Sequence, residues 1–179
     1  IVALTTDQIS GLSATQVAAL GTAQVAAIET ADLVKLTTTQ IGALTAAQIK
    51  SLTTGQIAAL SSTQVQGLKA TQVAAFATDQ IANLSTSNTQ ALTSAQIKAL
   101  TTAQLDAMST AQIAVLDTAD VASLSATQLK SLSTASIVAL TTDQITSLSA
   151  TQIAALGTGQ VAAIETADLA KLTTAQIGA

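Results

Sequence analysis

The stretch Leu36-Thr37-Thr38-Thr39-Gln40-Ile41 contains two helix-start signals that agree on one boundary. Thr37 is placed to accept a hydrogen bond from the third amide of a helix. Gln40, three residues on, is placed to reach back to the amide of Thr37, which completes a capping box. Leu36 before the cap and Ile41 four residues into the helix then form a hydrophobic staple.

The same signal recurs every eight residues. From Leu4 to Leu172 every eighth residue is a large apolar one, with Ile28, Phe76, Met108 and Ile164 as the only departures from Leu. Residues 4–179 are therefore 22 consecutive octads without insertion or deletion. The sixth column is Ile, Val or Leu throughout, except at Thr89. The fifth is Gln in 17 of 22 octads, the others being Asp32, Asn88, Asp120, Ser136 and Asp168. The second column is Thr or Ser in most octads, Gly21, Glu29, Lys69, Ala77, Asp117, Gly157 and Glu165 being the exceptions. In Glu29-Thr30 and Ala77-Thr78 the cap is expected to shift by one residue, onto the threonine.

A fixed short period implies stacked units, each too small to bury its own apolar face. An unbroken α-helix gains about 80° in every eight residues, so the leucine stripe would wind around it. Restarting the helix in each octad keeps columns one and six on one core. A plain β-strand fails, because columns one and six are an odd number of positions apart and would face opposite ways. The expected fold is thus all-α: an α-solenoid of short capped helices, one per octad, wound into a superhelical rod. A β-solenoid with a turn inside each octad is the alternative. With three or four octads per turn and about 9–10 Å between helices, the rod would be about 50–70 Å long. Gln, Thr and the sparse charges are expected outside or at helix caps. The Gln column is read as closing its own capping boxes rather than building a ladder along the stack.

A longer period lies above the octad. Residues 5–43 and 141–179 align without gaps at an offset of 17 octads, identical at 33 of 39 positions. Chain 1–179 is read as one solenoid segment, a fragment of an array built from 17-octad blocks.

Composition narrows the function. The chain carries six cations, ten acids and a net charge of −4, and its only aromatic residue is Phe76. Nucleic-acid binding calls for clustered cations and stacking aromatics, so it is not expected. No apolar run is long enough to span a membrane. With no His and no Cys, nucleophilic triads lack a base, and no enzymatic activity or cofactor is expected.

Candidate ligand groups are few. Three acid pairs occupy columns two and five: Glu29 with Asp32, Asp117 with Asp120, and Glu165 with Asp168. Paired carboxylates suit a hard cation such as Ca²⁺, but acids at a helix start are also favoured by the dipole and the free amides. The second reading is preferred. A regular threonine array would suit ice binding if its hydroxyls were free; those of column two are needed as caps. Octad 84–91 breaks two columns, at Asn88 and Thr89, and reads as a weakened repeat or a kink. Asn83-Leu84-Ser85 matches a glycosylation acceptor.

Octads of the form Leu-Thr-Thr-x-Gln-Ile-x-Ala resemble tracts in very large bacterial surface proteins labelled haemagglutinin-, haem-utilisation- or adhesin-like. The resemblance covers 4–179. It implies an exported stalk at the bacterial cell surface, with no functional residues to carry over. Leu60-Ser61-Ser62-Thr63-Gln64-Val65 is also similar to the opening of a TAL-effector repeat, but the rest of that unit and its basic surface are absent. The expected role is a spacer, with a self-associating or adhesive surface as the alternative and an ice- or calcium-binding array behind it. The expected partners are neighbouring repeats and other copies, end to end or side by side.

Overall fold

The computed structural model describes residues 5–179; Leu4, which opens the leucine column, lies outside the described residues. The chain is an α-solenoid. Each octad forms one helix of four to six residues, from α1 (Thr6–Ser10) to α22 (Thr174–Ile177), and no strand occurs among the described residues. The β-solenoid alternative has no support.

Every helix begins at column three, with column two as its cap. In each octad that joins a column-two Thr or Ser to a column-five Gln, both halves of the capping box form. At Thr37, for example, the Gln40 amide donates to Thr37 Oγ1 at 3.2 Å, and the Thr37 amide donates to Gln40 Oε1 at 2.7 Å. Where column two has no hydroxyl, the second half remains. The amides of Gly21, Lys69, Ala77 and Gly157 donate to the Gln three residues on at 2.7–2.9 Å.

The expected one-residue shift of the cap does not occur. Glu29 and Ala77 stay extended, at φ −66°, ψ 147° and φ −72°, ψ 158°, and the helices start at Thr30 and Thr78. Moving the cap would carry column one or column six off the core, so burial overrides the better capping residue.

Helix ends are equally regular. After column eight the chain takes two extended residues, such as Leu52 (φ −62°, ψ 137°) and Thr53 (φ −71°, ψ 157°), and starts again. No described residue has a positive φ. Helices here end without the left-handed residue, usually glycine, that many helices need, which explains how the repeat manages with few glycines.

Each helix packs on the helix three octads earlier. Thus α12 (Ser94–Ala99) lies between α9 (Ala70–Val73) and α15 (Thr118–Ser123), and the same step recurs along the described chain. Columns one and six fill the interior as one continuous core from Ile9 to Ile164. In mid-stack the column-six residues are essentially inaccessible.

Small residues in columns seven and eight let successive turns approach. The tightest place is Gly67, where a Cβ would come within 2.8 Å of the Cβ of Thr38, in the preceding turn. Rotating Thr38 cannot relieve a clash with its own Cβ. Gly67→Ala is therefore expected to destabilise the fold by about 1–3 kcal/mol, read as a lower urea midpoint. Unchanged or raised stability would mean that the turns are not packed this closely.

Candidate functional site

The most heavily used polar group in the molecule is the column-five glutamine. It is not the outward-facing residue expected: from Gln40 onward these side chains are at most 9% exposed. Each Gln stands at the third position of its helix, which aims its amide at the turn before. The Gln96 Nε2 donates to the carbonyls of Val65 (2.8 Å) and Leu68 (2.8 Å), 31 and 28 residues earlier. Gln72 does the same to Ile41 and Leu44 at 3.0 and 2.7 Å, and Gln144 to Ile113 and Leu116 at 3.1 and 2.6 Å. The column-six carbonyl, near the helix C-terminus, also accepts the column-one amide three residues on, whereas the column-one carbonyl, just past the helix, has no other protein donor.

This corrects the capping-only reading of the column. One side chain closes the N-terminus of its own helix through Oε1 and the C-terminus of a helix in the preceding turn through Nε2. It is a brace between turns, running side chain to backbone, and no ladder of one Gln on the next is involved. The glutamine bonds to backbone carbonyls of the turn before join residues 28 to 31 apart, so a turn takes between three and four octads. Gln8, Gln16 and Gln24 occupy the first turn; they make the capping half and are exposed.

Where column five holds Asp or Asn, a different bond crosses the same gap; Ser136 makes none, its hydroxyl meeting Ser133 Oγ at 2.9 Å. Asp32, Asp120 and Asp168 cannot donate, and each accepts from a column-three hydroxyl of the preceding turn: Thr6 at 2.6 Å, Ser94 at 2.5 Å and Thr142 at 2.6 Å. Asn88 does both, accepting from Ser62 Oγ at 3.1 Å and donating to the Leu60 carbonyl at 2.6 Å. The paired acids therefore have separate surroundings. Glu29, Asp117 and Glu165 are exposed caps whose side chains make no capping bond, whereas Asp32, Asp120 and Asp168 are buried beneath the preceding turn. Among the described residues no three carboxylates gather into a cluster that could hold a metal. Burial pushes the Asp120 carboxyl above its ordinary range, with repulsion from Asp117 adding to the rise and the Ser94 hydrogen bond opposing it.

Octad 84–91 is neither kinked nor frayed. Its helix α11 (Thr86–Gln90) keeps the register, packed against the helices three octads to either side. Thr89, fully buried in place of an aliphatic, satisfies its hydroxyl on the Ser85 carbonyl at 3.0 Å and receives the Gln112 amide at 3.4 Å. Asn83 ends α10 (Thr78–Ala82), its exposed side-chain amide donating to the Asp79 carbonyl at 2.8 Å. No buried side-chain nitrogen or oxygen among the described residues lacks a partner.

The family model of the ALTTAQ repeat matches five overlapping or adjacent stretches: residues 1–27, 25–62, 54–86, 90–118 and 113–150. The chain belongs to the ALTTAQ repeat family. The name spells the column order seen here, with the Gln of the motif as the brace and its first Thr as the cap. No curated protein and no solved structure matches the chain.

Two substitutions separate the duties of the repeat. Gln104→Ala removes the box at Thr101 and the amide that serves Val73 and Phe76. It should cost about 2–4 kcal/mol, since it strands the buried Phe76 carbonyl, removes the second bond of the Val73 carbonyl and opens a cap. Gln16→Ala, in the first turn, loses only the cap and should cost about 1 kcal/mol or less. Equal costs in denaturant titrations would refute the brace.

Asp120→Asn supplies the donor that Asn88 uses. Because the folded-state pKa of Asp120 is raised, its ionised form weakens the fold above the acid range, and stability falls as pH climbs through that pKa. The Asn variant should therefore be about 1 kcal/mol more stable than the parent at neutral pH. The gap should narrow as the pH is lowered and Asp120 takes up its proton. A gap that widens on acidification would contradict this.

Proposed function

We propose that this chain is a structural spacer: a stalk segment of a large bacterial cell-surface, adhesin-like protein, acting outside the cell and performing no catalysis. The observation that carries the reading is the use made of the repeated polar chemistry. The same glutamine bond joins one turn to the next from Gln40 to Gln176, so the recurring side chains serve to extend the stack. Length is then set simply by octad number, and each octad adds a similar increment of burial and bonding.

The resemblance to tracts of bacterial surface proteins supports the extracellular setting, as does the duplicated 17-octad block, a unit by which length is gained without redesign. The absence of cysteine suits any redox compartment, export included. No helix among the described residues is long and apolar enough to cross a membrane.

The reading is tested by adding one further 17-octad block and comparing maximum dimensions by small-angle X-ray scattering. A spacer must lengthen in proportion to its octads. A dimension rising only as about the 0.4 power of residue number, as for compact domains, would refute it.

A further inference from the structure

One internal octad is joined to the turn before it by no polar bond. From Asp32 to Gln176, every column-five residue except Ser136 hydrogen-bonds to the preceding turn. The Ser136 side chain ends where a glutamine would still have its carboxamide to come, and its hydroxyl meets Ser133 Oγ at 2.9 Å. The carbonyls that a glutamine there would serve are those of Leu105 and Met108, 31 and 28 residues earlier. Leu105 keeps only the Met108 amide, at 3.2 Å, and the Met108 carbonyl has no protein donor. Met108 and Ser136 are both buried, where an unpaired acceptor is costly.

The substitute bond used elsewhere is missing as well. Asp32, Asn88, Asp120 and Asp168 each accept from a column-three hydroxyl 26 residues earlier. Thr110 stands 26 residues before Ser136, but serine is one bond shorter than Asp or Asn, and the two side chains make no hydrogen bond. The octad on the N-terminal side is also loosened. Gln128 is 8% exposed, against 2–3% for the glutamines from Gln48 to Gln112. It reaches the carbonyls of Lys98 and Leu100 at 3.2 and 2.8 Å and makes no bond to that of Ile97, the column-six acceptor.

We propose that the seam between α14 (Thr110–Ala114) and α17 (Thr134–Val138) is a weak joint built into the rod, the place where the internal stack opens first. The two helices are held together by the packing of columns one and six, and no hydrogen bond between them has to break for local opening. That makes this opening the least costly of the internal ones. A stack under load yields at this seam while the braced octads on either side stay joined. The inference does not depend on the spacer role, since any protein built on this stack would carry the joint.

Native-state hydrogen exchange of the whole chain tests the joint residue by residue. The amides of Ile137 and Leu140 are compared with those of Ile113 and Leu116, which make the same backbone bonds at the same 3.0 and 3.2 Å. Protection factors of the first pair are expected to be at least about tenfold lower. Ser136→Gln restores a donor to the Met108 carbonyl. Ser136→Asn copies Asn88, which bonds to the preceding turn without closing a capping box. Both variants should raise the protection of Ile137 and Leu140 at least about fivefold and leave that of Ile57 and Leu60, in a distant braced octad, unchanged. A rise with glutamine alone would trace the weakness to the missing capping box and overturn the proposal. Equal protection of the two pairs in the wild-type chain, or low protection that neither variant raises, would overturn it too.

Discussion

Everything regular in this molecule depends on a single side chain having both an acceptor and a donor. A glutamine at the third position of a short helix can take the cap amide on its oxygen. Its nitrogen is then left pointing at the preceding turn, where helix C-terminal carbonyls need a donor. Those two requirements usually fall to different residues. Here one buried residue meets both, as Gln56 does with Thr53 on one side and Val25 and Ile28 on the other. Burial makes the bonds consequential, because a carbonyl cut off from water and left unpaired costs far more than a surface bond contributes.

The unbroken register follows from the same bond. One inserted residue would carry the next three or four glutamines away from the carbonyls they reach in the turn behind, and columns one and six would leave the core together. An insertion in a loop of a globular domain disturbs only its neighbourhood. In this solenoid every internal octad has a partner one turn away on either side, so length can change only by whole octads. The helix termini are drawn into the same scheme. The last carbonyls are satisfied by the following turn, and the chain passes directly into two extended residues without any left-handed conformation.

Much of this was legible in the octad. The helix starts, the fixed period and the apolar columns led to short capped helices around one core, and the capping boxes at Thr37 and its equivalents have the anticipated geometry. The brace was missed because a capping box is a complete explanation of Ser or Thr followed three residues later by Gln. The clue lay in what column five excludes. A pure capping box accepts Glu as readily as Gln, and the helix dipole would favour it, yet column five never contains Glu. A need for a donor accounts for the preference for Gln, and the three aspartates occur where the preceding turn supplies a hydroxyl instead. A fainter clue gave the turn. The two serines of column three, Ser62 and Ser94, each stand at one fixed distance before a non-Gln residue of column five, Asn88 and Asp120. Threonine fills column three so often that the pairing of Thr6 with Asp32 or Thr142 with Asp168 did not stand out.

The exceptions show how far the seam tolerates change. A carboxylate in column five abolishes the donation to the turn before, and the stack answers by supplying a hydroxyl from that turn, as Ser94 does for Asp120. The direction of the bond across the gap is reversed and the gap is still closed. Asn88 is too short to complete a capping box with Ser85, but it keeps the donation to the column-one carbonyl, Leu60, and adds an acceptance from Ser62. Neither duty is kept in every octad: Asn88 and the three aspartates give up the box and keep a bond to the preceding turn, whereas Ser136 keeps a cap contact with Ser133 and makes no hydrogen bond across the gap. In four of the five exceptions the joining bond is the one that survives, so helix capping is chiefly the local means of holding the joining group in place, and one octad without that bond is carried by the packing of columns one and six.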